Sequence, residues 1–199
     1  MLKVNFDESK VNSILNNGGV VAFVTDTVWG IGCNPNNETA INKIYEIKGR
    51  DRTKPLILMS NKTEYLMPYV KNLSNSAKSL IETYFPGALT VIAEKSALTS
   101  DSVSAQKNTI GIRVPNNEFF QYLCSVIDTH VLATTSANIS NQKTSVCKKD
   151  VELSIGKDLY KIYGEDTYCE GIASTVVMVD KNNNVKILRR GSVNLEDCI

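Results

Sequence analysis

Apolar and polar positions along the chain follow helical spacing in some stretches and strand spacing in others. After Asp7, Val11, Ile14 and Leu15 fall on one face until Gly18-Gly19, which predicts a short amphipathic helix. Residues 20–24 are a near-continuous apolar run; this reads as a buried strand that delivers Thr25-Asp26-Thr27 at its tip. Ile41, Ile44, Tyr45 and Ile47 form the apolar face of a second helix ending near Gly49, so Lys48 and Arg50 fall at a helix-to-loop junction. A short strand over 56–59 follows Pro55. Asn61-Lys62-Thr63-Glu64 has capping-box spacing with Asn61 as N-cap. Ser74 caps another helix, which carries Ala77, Leu80, Ile81 and Tyr84 and stops at Pro86-Gly87.

Strands over 89–93 and 109–114 flank the polar stretch 95–108, which reads as a mobile surface loop. A helix bearing Phe119, Phe120, Leu123 and Ile127 leads to a strand over 131–133, tipped by Thr134-Thr135-Ser136-Ala137-Asn138. Residues 141–150 are polar and irregular, and a weak helix and a strand over 159–163 come next. Runs over 175–179 and 185–188, joined through Asp180-Lys181-Asn182-Asn183-Asn184, predict a hairpin. Strands and helices alternate, yet a hairpin needs an antiparallel pair. The expected fold class is therefore α+β (mixed α/β), a single domain over residues 1–199 with a twisted mixed sheet and flanking helices.

Composition narrows the function classes. The chain is 42% apolar and carries 22 basic against 21 acidic side chains, a formal charge of +1. A protein that coats nucleic acid depends on many phosphate contacts, and this balance argues against one while leaving room for a local basic pocket. Cys33, Cys124, Cys147, Cys169 and Cys198 include no C-x-x-C pair and suit reduced thiols better than a disulfide framework. The N-terminus lacks a signal-peptide core, and no window approaches the roughly 18 apolar residues of a membrane span. A soluble, cytoplasmic protein with no membrane contact is expected.

The candidate chemistry is hydroxyls and cations at strand ends. Lys43, Lys48, Arg50, Arg52 and Lys54 stand against only Glu46 and Asp51. That cluster is either a solvated helix end, where cations are favoured, or a loop that grips an anion. Arg113 and Arg189 sit at other strand ends, and for Arg113 the alternatives are a structural ion pair with a carboxylate or an anionic ligand. The cluster from Thr134 to Asn138 either terminates a strand as a cap or Asx turn, or faces a ligand. Thr25-Asp26-Thr27 has the same ambiguity, with Asp26 an orienting or metal-adjacent carboxylate. No Walker A, G-x-G-x-x-G or G-x-S-x-G motif occurs. His130 is the only histidine and opens a buried strand, which speaks against a histidine metal site or a Ser-His-Asp hydrolase. No protein metal site is expected. The inventory suits gripping a phosphorylated, anionic small molecule.

Taken together, several stretches resemble the YrdC-like family of threonylcarbamoyl-AMP synthases. They are Val24 through Gly32, Ile47-Lys48-Gly49-Arg50 with Lys54-Pro55-Leu56, Phe85-Pro86-Gly87-Ala88-Leu89-Thr90, Gly111-Ile112-Arg113-Val114-Pro115, Thr135 through Ser140, and Ser174-Thr175-Val176. The resemblance implies a twisted mixed sheet around a large basic cavity. It also implies an enzyme joining L-threonine, bicarbonate or carbon dioxide and ATP, with Mg²⁺, into threonylcarbamoyl-adenylate and pyrophosphate. A downstream threonylcarbamoyl transferase complex then modifies adenosine beside the anticodon of certain tRNAs, and direct tRNA contact would be weak. By position, Thr27, Arg113, Thr134 and Ser174 are expected at the threonine. Lys48, Arg50, Lys54, Thr109, Ser136, Thr144 and Arg189 are expected at ATP, with Lys48 and Arg50 as the catalytic cations. The sequence departs from the family at Met59, where some relatives carry histidine, at Trp29 for tyrosine, at Asn141 for glycine and at Arg190 for proline. Two other readings stand beside this one: a YciO-like paralogue of different chemistry, and a non-catalytic RNA-binding module using the basic cluster.

Overall fold

The computed structural model describes residues 7–159, 161–164, 169–180 and 182–195. The chain opens with α1 (Glu8–Asn16), whose first turn is capped by the Asp7 carboxylate accepting from the Lys10 amide. β1 (Val21–Phe23) and β2 (Gly30–Cys33) follow, both fully buried. Asn37 caps α2 (Glu38–Lys48), and Gly49 closes it in the left-handed conformation at φ 55°, a geometry that costs glycine least. Then come β3 (Ile57–Ser60), α3 (Thr63–Leu66), β4 (Val70–Lys71) and α4 (Asn75–Tyr84), the last capped by Ser74. The second half contains β5 (Leu89–Lys95), α5 (Asp101–Ser104), β6 (Thr109–Arg113), α6 (Glu118–Val126) and β7 (Val131–Ser136). It finishes with α7 (Lys148–Ile155), β8 (Lys161–Tyr163), β9 (Thr175–Val179) and β10 (Val185–Arg189).

Among the described residues all ten strands join one sheet in the order β10-β9-β5-β6-β3-β7-β2-β1-β8, with β4 added on β5. The sheet is mixed. β3 runs parallel to β6, β5 to β9 and β1 to β8, while β1/β2, β2/β7, β3/β7, β5/β6 and β9/β10 are antiparallel. The predicted mixed sheet with flanking helices and the terminal hairpin are therefore present. Among the described residues no helix is long and apolar enough to cross a membrane.

Four local expectations are corrected. β2 was not foreseen, because two of its four residues are glycine, which weakens a strand pattern. α3 starts with Lys62 at the N-cap and no side-chain cap, so Asn61 does not form the expected box. The stretch 95–108 is not a bare surface loop: it contains α5 and buries Thr99, Val103 and Ser104. The segment 141–150, expected to be irregular throughout, already contributes the first turn of α7 from Lys148. Residue 160 of the predicted strand over 159–163 lies outside the described residues.

The glycines of β2 have a packing reason. A Cβ on Gly30 would lie 2.7 Å from Cε2 of Phe23, and one on Gly32 would lie 3.0 Å from Cε1 of the same ring. Phe23 is wholly buried and meets Phe120 at 5.0 Å between ring centroids, so it has little room to retreat. Gly30→Ala should destabilise the fold by about 1–3 kcal/mol through overpacking. Urea denaturation measures this, and an unchanged midpoint would show that the ring relaxes freely.

Candidate functional site

One face of the sheet lines a cavity of about 460 Å³, with alternate residues of β3 (Ile57, Met59), β6 and β9 (Val176, Met178) on its wall. Its wall is built from the β1–β2 turn (Thr25, Thr27), β6 (Thr109, Gly111, Arg113), the end of β7 (Thr134, Ser136) and the β9–β10 edge (Ser174, Arg189), with Arg50 and Thr144 arriving on loops. Groups far apart in sequence meet here because antiparallel pairing of β2 and β3 with β7 sets Gly30 beside Ser136 and Ile57 beside Thr134.

Arg113 is the most constrained member. Its side chain is 2% exposed. One terminal nitrogen pairs with the Asp26 carboxylate at 2.5 Å, the other donates to the Thr27 hydroxyl at 2.9 Å, and Nε donates to the Gly87 carbonyl at 2.9 Å. The second Asp26 oxygen accepts from the Asn116 amide at 3.1 Å. The structural alternative for Arg113, an ion pair with a carboxylate, is thus what the structure contains, and Asp26 is its orienting partner. Burial lowers the Arg113 pKa and the Asp26 charge opposes that effect. A guanidinium has five N–H groups, so two remain, one on each terminal nitrogen, and Arg113 still lines the cavity.

The turn carrying these groups is held from both sides. Thr25 Oγ1 lies 3.0 Å from Thr27 Oγ1 and donates to the Val28 carbonyl. The Gly171 amide and the Cys169 thiol both donate to the Thr27 carbonyl, and Glu170 N donates to that of Asp26. Across the cavity, Ser174 Oγ meets Thr90 Oγ1 at 2.9 Å and accepts from Arg189 at 3.1 Å. Arg189 also donates from Nε to the Ser174 carbonyl. Arg189 lines the cavity, and Arg190 does not. Thr134, 1% exposed, donates to the Ile57 carbonyl at 3.2 Å.

Arg50 folds its own loop, donating from Nε to the Lys54 carbonyl at 3.1 Å and from Nη2 to the Pro55 carbonyl at 2.8 Å. Lys48 and Lys54 are not on the cavity wall. Lys48 is 1% exposed, and its ammonium is bound to the Ser136 and Asn138 carbonyls at 2.5 Å each. It therefore ties the end of α2 to the tip of β7, where Ser136 Oγ donates to Asn138 Oδ1 at 2.6 Å. Burial, reinforced by the Arg50 charge, pulls the Lys48 pKa down to about 7. Lys54 is exposed and donates to Asn141 Oδ1 at 3.0 Å, which pins the neighbouring loop.

Three groups stand elsewhere or went unread. His130 packs on Tyr65 at 4.4 Å between rings with Nδ1 on the Cys124 carbonyl, away from the cavity wall. Met59, at the departure from the family pattern, lines the cavity and so does Trp29. Lys107 lines it too, and nothing in the sequence pattern marks it. Among the described residues the charged lining consists of Arg50, Lys107, Arg113 and Arg189 and includes no carboxylate. Among the described residues no cluster of three or more His, Cys, Asp or Glu is placed to hold a metal ion.

Fold and site define a class, a mixed-sheet α/β protein whose sheet carries on one face a cavity with cations and hydroxyls among its lining. Comparison with known proteins is more specific. Residues 13–191 match the family model Sua5_yciO_yrdC, described as "Telomere recombination", and the chain belongs to this Sua5/YciO/YrdC family. It is 33% identical to the threonylcarbamoyl-AMP synthase of Vibrio campbellii over 82% of this chain and 88% of that protein. Pyrococcus abyssi Sua5, in a crystal structure complexed with L-threonine, superposes with a TM-score of 0.87 at 28% identity, covering 97% of this chain. This chain spans only 57% of that longer protein. Escherichia coli YciO shares the fold at a TM-score of 0.85 and 22% identity, over 98% of this chain and 96% of its own.

The Lys48 geometry has a pH consequence. Between about pH 7 and its ordinary value of 10.5, the unfolded chain keeps a proton on Lys48 that the native state has released. Native stability therefore rises with pH across that window on account of this residue. In denaturant melts from pH 7 to 10, wild type should gain stability relative to Lys48→Met as pH rises. Parallel curves would show an unshifted lysine.

Proposed function

We propose that this cavity condenses L-threonine, bicarbonate-derived carbon dioxide and ATP into threonylcarbamoyl-adenylate, releasing pyrophosphate. The observation that carries the reading is the polar part of the lining, four cations and many hydroxyls with no carboxylate among the described residues, in a chain 33–35% identical to Vibrio threonylcarbamoyl-AMP synthases over 85–88% of their length. Threonine occupies the end formed by Thr27, Arg113, Thr134 and Ser174. The two uncommitted N–H groups of Arg113 take its carboxylate as charge-assisted hydrogen bonds, and the hydroxyls take its side chain. ATP lies along Thr109, Ser136, Thr144, Arg50 and Arg189, with the guanidiniums on its phosphates.

The nucleophile belongs to the substrate. Threonine's amine adds to carbon dioxide and loses a proton, giving a carbamate whose oxygen attacks the α-phosphorus while the bond to pyrophosphate breaks. No Ser, Cys or His nucleophile is needed, in keeping with the position of His130 off the cavity wall. The protein contributes alignment and a fixed positive field for the charge that builds on the leaving group. Lys48 acts here by holding Ser136 and Asn138 in place. Mg²⁺ arrives as the nucleotide complex: hydroxyls without carboxylates fit an ion carried on phosphates better than one caged by protein. The product passes to a transferase complex that modifies tRNA, which sets the work in the cytoplasm.

Pyrophosphate release is the test, with L-threonine, bicarbonate and Mg-ATP each omitted in turn. Release should require all three, and serine in place of threonine should be slower by roughly 10- to 200-fold, the value of one methyl. Release that ignores threonine would overturn the reading. No release at all, with RNA retained by the basic cluster, would favour a binding module.

A further inference from the structure

Of the four cations on the cavity wall, three are guanidiniums already tied to the protein: Arg113 to Asp26, Arg189 to Ser174, and Arg50 to the Lys54 and Pro55 carbonyls. Lys107 is different. Its side chain is exposed, and among the described residues its ammonium has no hydrogen-bond or ion-pair partner. Its backbone, by contrast, is firmly placed. Ala105 and Gln106 both adopt the left-handed conformation, at φ 52° and 63°, which non-glycine residues take only at a cost met by their surroundings. Here Gln106 N donates to the Asp101 carbonyl at 2.9 Å, Lys107 N to that of Ser104 at 3.1 Å, and Lys95 N to that of Asn108 at 3.0 Å. Val103 and Ser104 are buried beneath this turn. A rigid base thus presents an uncommitted cation at the cavity.

Position along β6 indicates which end of the ligand it meets. Lys107 precedes Thr109, whereas Arg113 lies four residues beyond Thr109 on the same strand, about 13 Å away at strand rise. A lysine side chain does not span that distance, so Lys107 serves the nucleotide end and leaves the amino-acid end to Arg113. Adenosine is uncharged; the anion available to an ammonium there is the polyphosphate.

We propose that Lys107 is a further substrate-binding residue, whose ammonium takes the polyphosphate of the nucleotide at the cavity and stabilises departing pyrophosphate. This rests on the ATP reading above. Titration calorimetry of wild type, Lys107→Gln and Lys107→Arg with Mg-ATP, Mg-pyrophosphate, adenosine and L-threonine, at low and high salt, tests it. Lys107→Gln should bind ATP and pyrophosphate roughly tenfold more weakly at low salt, with the gap narrowing at high salt as screening grows. Adenosine and threonine affinities should not change, and Lys107→Arg should restore phosphate binding. Wild-type affinity for ATP and pyrophosphate in Lys107→Gln would overturn this assignment while leaving the proposed function standing. An equal loss for adenosine or threonine would mark a structural role and also overturn it. A wild-type protein that binds neither ATP nor pyrophosphate would remove the proposed function and this inference together.

Discussion

The buried pairing of Arg113 with Asp26 is the interaction on which the site depends. It joins two elements 87 positions apart in sequence, the turn after β1 and the end of β6. Through Thr27 and Gly87 it also fixes the wall of the cavity and the approach to β5. A charge buried this deeply is tolerable only when paired: breaking such a pair by removing one partner costs about 3–5 kcal/mol. Asp26 is therefore held in place by the requirement to neutralise Arg113, and Arg113 by the requirement to satisfy Asp26. Buried ion pairs are often no more stabilising than a well-packed apolar pair of similar volume. What this one provides is a cation whose orientation is set before any ligand arrives.

The same economy of positions recurs around the cavity. Arg50 and Arg189 each spend two donors on protein oxygens and keep others for a ligand. Lys48 spends its ammonium on two backbone carbonyls, and so shapes the tip of β7 from behind the wall. Pre-set cations cost no reorganisation when charge moves onto a leaving group, which is the main electrostatic advantage an enzyme site has over water. A protein whose reacting groups all come from its substrates needs little more than this. The arrangement agrees with a wall whose polar groups, among the described residues, are mainly hydroxyls and cations and which does not include the sole histidine.

Much of the fold was legible because burial leaves a mark on sequence. The apolar runs that became β1, β3, β5, β6 and β7 were visible with ends within a few residues, and the Asn-rich turn announced the β9–β10 hairpin. β2 was not legible, since its glycines answer to Phe23 on the neighbouring strand rather than to any local period. The stretch 95–108 read as a loop because several of its polar residues are satisfied within it: Lys95 is paired with Asp101, and Ser100 caps α5. For the site, sequence located most of the hydroxyls and cations at strand tips, and left Arg113 between two roles. The ion pair depends on Asp26, whose proximity only the sheet creates. Lys48 was visible as part of a basic cluster, but its burial against carbonyls some ninety positions away was not. Lys107 carries no local signature at all; an unremarkable lysine becomes notable only where the fold sets it beside an anion-seeking wall.

The central claim is that Arg113, oriented by Asp26, receives the carboxylate of the amino-acid substrate. The double variant Asp26→Asn with Arg113→Gln removes both buried charges together and keeps hydrogen-bonding side chains, so no unpaired charge is left in the core. Affinities for L-threonine and for L-threoninol, which lacks the carboxylate, should be measured on this variant and on wild type. The account predicts that wild type binds threonine more tightly than threoninol by roughly tenfold or more, the worth of a charge-assisted contact. It further predicts that this preference disappears in the folded double variant. A preference retained in full by the double variant would contradict it, and would move the carboxylate to another cation of the wall.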